Sequence, residues 1–130
     1  MQFSKAEGLG NDFIVINQGS LEDADWAALA YKMCERHTGI GADGLLVYEP
    51  LPHRPSGSYR MRVFNADGSE AEVSGNGLRC LAAHLCAGPE LESERLWIET
   101  VSGDHLLKLI SSAHPLYWFL VDMGQPILER

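Results

Sequence analysis

Short apolar runs dominate the hydrophobic pattern of the chain and predict a protein built mostly from strands. Residues 13–16 are continuously apolar and rich in β-branched side chains, which is typical of a strand. Residues 59–64 alternate as expected of a half-buried strand, with one face formed by Tyr59, Met61 and Val63 and the other by Arg60, Arg62 and Phe64. The remaining predicted strands are residues 3–7, 45–48, 71–73, 96–100, 105–110 and 117–122.

Two segments have helical patterns and differ in how much of their surface is apolar. In the first, apolar residues recur at helical spacing, which predicts an amphipathic helix that Asp23 or Asp25 caps and that runs to about His37. The second, residues 78–87, follows the turn-forming residues 74–77 and is apolar almost all round, which is typical of a buried helix. Many short strands with one amphipathic and one buried helix predict an α+β domain.

The amino-acid composition argues against some classes of binding partner. The 130 residues fit one domain, and their 45% hydrophobic share is that of an ordinary globular protein. Asp and Glu outnumber Lys and Arg by 18 to 10, so the formal net charge is −8. Phosphate backbones and anionic membrane surfaces would repel such a chain, and we expect neither nucleic acid nor a membrane as a partner. No apolar run approaches the roughly 20 residues of a spanning helix.

The cysteines and the first residues bear on the cellular location. Cys34, Cys80 and Cys86 are odd in number and contain no CxxC pair, which argues against a disulfide framework and predicts a reducing cytoplasm. Residues 1–20 lack a basic region followed by an apolar one, so we expect no signal peptide. The predicted location is therefore cytoplasmic.

Two motifs have a chemical and a structural interpretation. Residues 39–44 match GxGxxG, but a helix precedes them and a strand follows, the reverse of the dinucleotide fingerprint. We therefore expect a helix-to-strand connection whose glycines supply positive φ. Cys80 and His84 lie four apart on one helix face but supply only two metal ligands, so we expect a buried thiol, a core histidine and no metal site.

Residues 74–77 are the most informative segment. Ser74 follows a strand, and the next residues begin a helix whose first backbone N–H groups could bind a carboxylate and stabilise an ionised acid at position 74. Helix capping by Ser74 or Asn76 explains the same pattern equally well. Asn11 and Asn65 stand next to strand ends and are, taken singly, turn residues. Together with position 74 they would surround a small zwitterion with amide donors and acceptors.

Four blocks of sequence, in order, resemble diaminopimelate epimerase. They are residues 8–13 (GLGNDF), 36–44 (RHTGIGADG), 64–72 (FNADGSEAE) and 75–80 (GNGLRC). Residues 121–126 (VDMGQP) are similar to the stretch that closes the first domain of that family. Four blocks in the family's order are far more specific than any single motif, and the resemblance extends over residues 2–126.

The resemblance implies a diaminopimelate-epimerase-like fold, in which a mixed or antiparallel sheet wraps round a central, mostly apolar helix. Residues 1–130 would then be a single domain, equivalent to the N-terminal half of a two-domain epimerase whose C-terminal half is absent here. That missing C-terminal domain would be the natural partner of this chain. The apolar face left exposed without it could drive homodimerisation.

The resemblance also implies PLP-independent epimerisation of LL- to meso-diaminopimelate, in lysine and cell-wall precursor synthesis, with no cofactor. One acid/base residue from each domain would act on opposite sides of the α-carbon, while preorganised dipoles in a dry site stabilise the carbanion. By this likeness Ser74 stands at the position of the family's first catalytic cysteine. The positions that match the family's substrate-binding residues are Asn11, Asn65, Gly75 and Asn76.

Serine at position 74 is a departure from the family pattern. A hydroxyl is a much weaker acid than a thiol, a helix dipole cannot close that gap, and no adjacent histidine is evident to activate Ser74. Because the second acid/base is also missing, we expect the isolated chain to have no epimerase activity. Two alternatives stay open: a related racemase or dehydratase retuned by Ser74, and a catalytically silent amino-acid-binding or assembly module.

Overall fold

In the computed structural model of the chain, residues 3–8, 11–20, 24–55, 57–73, 75–87, 95–111 and 118–122 are described. These residues form eight strands and two α-helices, so the predicted α+β class is confirmed. The strands are β1 Ser4–Gly8, β2 Asn11–Asn17, β3 Gly44–Pro50, β4 Ser58–Asn65, β5 Glu70–Ala71, β6 Arg95–Thr100, β7 Gly103–Ser111 and β8 Trp118–Asp122. The helices are α1 Trp26–Cys34 and α2 Gly75–Ala87.

The strands form one mixed sheet in the order β1-β2-β3-β4-β6-β7-β8, with β5 paired to β4. The pairs β2–β3 and β4–β6 are parallel, and the other pairs are antiparallel. Strand β2 begins at Asn11, earlier than the predicted strand, and Asn11 is paired there with Gly8, the last residue of β1. Among the described residues, no helix combines the length and the apolar character needed to cross a membrane.

Helix α1 starts where the sequence predicts and ends earlier. The Asp25 side chain caps it by accepting a hydrogen bond of 3.1 Å from the amide of Ala28. The predicted end near His37 is wrong, because the backbone is already extended at Glu35. The chain then folds back, and the carbonyl of Met33 accepts hydrogen bonds of 2.9 Å from the amides of Ile40 and Gly41. A carbonyl used in this way ends the helix.

The two helices lie on opposite faces of the sheet, because side chains alternate along each strand. On β2, Phe13 and Val15 pack in the cluster that contains α2, whereas Ile14 and Ile16 pack in the cluster that contains α1. The α2 cluster also draws side chains from β3, β4, β6 and β7, so five strands bury one helix. Leu81 of α2 is fully buried, and burial of a leucine contributes about 1.5–3 kcal/mol. The prediction of a buried helix is confirmed.

One end of the sheet brings three strand termini together. The Cα partners Phe13–Gly44 and Gly44–Asn65 form a row across β2, β3 and β4. Gly44 is required in this row, because a Cβ there would lie 2.9 Å from the carbonyl oxygen of Phe64. Strand β5 returns along the end of β4 and is followed by α2, so the first turn of α2 reaches this same end of the sheet.

Candidate functional site

The candidate site begins with two asparagines that the fold brings together. The side-chain Nδ2 of Asn76 donates a hydrogen bond of 3.0 Å to Oδ1 of Asn11, across 65 positions of sequence. Asn11 is the first residue of β2, and Asn76 is the second residue of α2; both are half-buried. Their amides therefore join the end of the sheet to the start of the buried helix.

The first turn of α2 carries a third predicted site residue, Gly75. Gly75 is the first helical residue, and backbone amides at this position have no acceptor within a helix. The guanidinium of Arg79 folds back towards it, since a Cβ on Gly75 would lie 3.2 Å from Nη1 of Arg79. The N-terminal helix dipole and this guanidinium both favour a negative charge here. Ser74, immediately before the helix, lies outside the described residues, and its role stays a prediction.

Asn65 lies at the same end of the sheet but is engaged in a turn. Its backbone carbonyl accepts a hydrogen bond of 2.9 Å from Gly68, which has φ 91°. Its Nδ2 donates to the Ser69 hydroxyl at 3.0 Å. Alternation along β4 places Asn65 on the α2 face, as for Asn11, but two strands away and level with Phe13, so about 12 Å from Asn11. The turn interpretation is thus confirmed, and the substrate role stays a prediction.

Four charged side chains close to Asn11 form a network of ion pairs that the sequence motifs did not predict. Nη2 of Arg36 donates to Oδ1 of Asp12 at 3.2 Å and to Oδ1 of Asp43 at 3.1 Å. The ammonium of Lys5 lies 3.3 Å from the other Asp12 oxygen. The Arg36 hydrogen bond holds the pKa of Asp12 well below its usual range. The other three residues of the network, Arg36, Asp12 and Asp43, lie inside the sequence blocks that resemble the family. That resemblance is the sequence signal from which the network could have been found.

The GxGxxG stretch and the Cys80–His84 pair both have structural roles in the fold. Gly41, in the GxGxxG stretch, has φ 85° between α1 and β3, so the helix-to-strand connection is confirmed. Cys80 is buried in the α2 cluster, and the Tyr48 hydroxyl lies 3.3 Å from Nε2 of His84. Burial lowers the pKa of His84. Among the described residues, no three His, Cys, Asp or Glu side chains are grouped so that they could hold a metal ion.

The sequence of the chain is similar to a known protein family and to several of its curated members. A sequence model of the family described as diaminopimelate epimerase matches residues 3–129. Diaminopimelate epimerase of Pelotomaculum thermopropionicum is 43% identical over 132 residues, which cover 100% of this chain and 46% of the relative. The enzyme of Caldanaerobacter subterraneus subsp. tengcongensis is 45% identical over 129 residues, 99% of this chain and 45% of the relative. The chain thus spans about half the length of the curated relatives it matches.

Solved structures share the fold at low sequence identity. A PhzF-family phenazine biosynthesis protein of Bacillus anthracis matches with a TM-score of 0.65 at 18% identity, over 90% of this chain and 37% of that chain. A protein of Pseudomonas aeruginosa described as a predicted epimerase matches with a TM-score of 0.63 at 18% identity, over 85% of this chain and 39% of that chain. Together these matches confirm the predicted diaminopimelate-epimerase-like architecture.

Proposed function

Because the chain belongs to the diaminopimelate epimerase family, we propose that it is the N-terminal half of an epimerase that converts LL- to meso-diaminopimelate without a pyridoxal cofactor. The family match covers nearly the whole chain, and the curated relatives are about twice as long. In this proposal the second half supplies the other wall of the substrate site and the second acid/base. Residues 1–130 form one domain.

The observation that carries the proposal is the hydrogen bond between Asn76 and Asn11 at the first turn of α2. An amino acid presents a carboxylate and an ammonium group, and its α-proton becomes acidic only if the developing negative charge is stabilised. The backbone amides of Gly75 and Asn76 are donors of the required kind for the carboxylate. The Asn11 side-chain oxygen is an acceptor at the same place and suits the ammonium group.

We assign proton transfer in this half to position 74, which directly precedes α2 in the sequence. A base must lie within hydrogen-bond reach of the α-proton, and a group next to the bound carboxylate meets that requirement. Ser74 is a poor base, because its hydroxyl is not appreciably ionised near neutral pH. The half therefore binds and polarises the substrate, and its own proton transfer is slow.

Exchange of the α-proton with solvent deuterium tests the proposal directly. We expect no exchange on diaminopimelate with the isolated chain, and slow or no inversion of LL- to meso-diaminopimelate, followed as deuterium in the inverted product, with the full-length protein. Ser74→Cys in the full-length protein should raise the rate by about 100-fold or more, the range typical of a positioned acid/base. Ser69→Cys is a matched control, because it adds a thiol in the neighbouring turn at Asn65 and should not raise the rate.

A second candidate function, a silent amino-acid-binding module, is favoured by the serine itself. The two functions differ in one outcome. A silent module binds diaminopimelate but shows no exchange even after Ser74→Cys, whereas the epimerase recovers exchange. Exchange on a different amino acid would instead indicate the related racemase or dehydratase. The cytoplasmic location and the homodimer remain predictions.

A further inference from the structure

Arg36 joins two acidic side chains that are far apart in sequence. One nitrogen of its guanidinium, Nη2, donates to both Asp12 and Asp43, at 3.2 and 3.1 Å. Asp12 is the second residue of β2, and Asp43 directly precedes β3. Without a cation between them, these two carboxylates would face each other across the start of two adjacent strands and would repel.

The same two aspartates also exchange hydrogen bonds with each other's backbone. The amide of Asp12 donates to Oδ2 of Asp43 at 3.0 Å. The amide of Asp43 donates to Oδ1 of Asp12 at 2.9 Å and to its carbonyl oxygen at 3.0 Å. The start of β2 is therefore held against the start of β3 by both backbone and side chain, and Arg36 offsets one of the two negative charges of the pair.

The position of Arg36 is itself set by close packing. A Cβ on Gly41 would lie 3.2 Å from Cα of Arg36, and Gly41 has φ 85°. Yet the Arg36 side chain is 54% exposed, and exposed ion pairs contribute little to stability. This arrangement indicates that Arg36 fixes the positions of its neighbours more than it stabilises the whole protein.

Asn11 is the residue adjacent to Asp12, and it points to the opposite face of the sheet. We propose that Arg36 is a positioning residue for the amino-acid site: by holding Asp12 against Asp43, it places Asn11 where its oxygen accepts the hydrogen bond from Asn76. This inference rests on the proposed function for its consequence, substrate affinity. Its structural part, the coupling of Arg36 to the Asn11–Asn76 contact, stands by itself.

The test uses the full-length protein labelled with ¹⁵N-asparagine and compares Arg36→Gln with Arg60→Gln. Arg60 is a matched control, because it is similarly exposed and its guanidinium also contacts two carboxylates, those of Glu99 and Glu49. We expect Arg36→Gln to shift the side-chain amide resonances of Asn76 and Arg60→Gln to leave them in place. Arg36→Lys should restore most of the wild-type shift, because an ammonium group can also donate to both aspartates.

Affinity for diaminopimelate, measured by calorimetric titration, gives the second readout. Arg36→Gln should raise the Kd about 5-fold or more, as expected for coupled positions, with little change in Tm. Should Arg36→Gln fold poorly, Asp43→Asn weakens the same bridge, because the neutral amide loses the ion pair with Arg36, and it should shift the same Asn76 resonances.

The two readouts separate the inference from the proposed function. Unmoved Asn76 resonances in a folded Arg36→Gln or Asp43→Asn protein overturn the inference, as does an equal shift in Arg60→Gln. If the wild-type protein binds and Arg36→Gln binds as tightly, the inference also fails. Absence of diaminopimelate binding by the wild-type protein counts against the proposed function alone, because the resonances still decide the coupling.

Discussion

Nδ2 of Asn76 lies 3.0 Å from Oδ1 of Asn11, so the start of the buried helix is hydrogen-bonded to the start of β2, the second strand of the sheet. The contact is half-buried, which makes it worth more than the same contact in open solvent. Among the residues that the structure describes, the second Nδ2 hydrogen of Asn76 and the second lone pair of the Asn11 oxygen have no partner and can bind a ligand.

A double-mutant cycle measures the coupling of these two residues. Asn11→Ala and Asn76→Ala should each destabilise the protein, and the double variant should lose less than the sum, with a coupling of about 0.5–1.5 kcal/mol. Urea unfolding of the four proteins gives the free energies. Strict additivity would show that the hydrogen bond contributes nothing to stability.

Gly75→Ala separates ligand binding from stability. Alanine favours helix formation over glycine by about 0.5–1 kcal/mol, and Gly75 has no positive φ that would penalise a side chain. Among the described residues, the three atoms nearest to the new methyl group all belong to the exposed, flexible end of Arg79. We therefore expect unchanged or higher stability, but diaminopimelate affinity reduced roughly tenfold, or about 1.4 kcal/mol, because the methyl group occupies the approach to the first-turn amides.

Calorimetric titration and thermal unfolding of the same Gly75→Ala protein check both halves of this prediction. Gly19→Ala is the control, since a Cβ there makes only an ordinary 3.4 Å contact with Asn17. It should leave affinity unchanged. Full affinity in Gly75→Ala would show that no ligand approaches the start of α2.

Gly44→Ala tests the close packing of the three strands at the site. A Cβ at this position would lie 2.9 Å from the Phe64 carbonyl oxygen and 3.3 Å from the Phe13 ring. Neither backbone nor a buried ring can yield without strain, so we expect a loss of about 1–3 kcal/mol. Chemical denaturation measures the loss, and a variant as stable as the wild type would show that β3 can shift between its neighbours.

His84 should make stability depend on pH. Burial lowers its pKa in the folded protein, so the unfolded chain binds a proton more readily. Stability is then complete above the unfolded pKa of about 6.5 and falls as the pH drops through the window below it, by at most about 1.4 kcal/mol per pH unit. His84→Gln can still bond to Tyr48 and should flatten this decline between pH 7 and 5.

Urea unfolding at several pH values provides the measurement, and His53→Gln is the control, because His53 is exposed in the loop before β4. That variant should keep the wild-type pH dependence. A decline of equal slope in His84→Gln and in the wild type would mean that His84 is protonated as easily in the folded protein as in the unfolded chain.

Local patterns were sufficient for most of the elements. The alternation in residues 59–64 correctly separated Met61 and Val63 from Phe64, because side-chain direction in a strand depends only on its own periodicity. The apolar surface of α2 correctly predicted that this helix is buried, because a helix that is apolar almost all round has no polar face for water. The predicted end of α1 was wrong, because the amides of Ile40 and Gly41, which lie beyond the helix, donate to the carbonyl of Met33.

The sequence by itself determined the α+β class, the family resemblance and the residue types that the site uses, because each depends on neighbours along the chain or on the order of motifs. Only the tertiary structure decided which of those residues meet. Asn11 contacts Asn76, and Arg36 bridges Asp12 and Asp43, because the order of strands brings their ends together. Contacts across such distances arise from packing the sheet against two helices, and no local pattern encodes them.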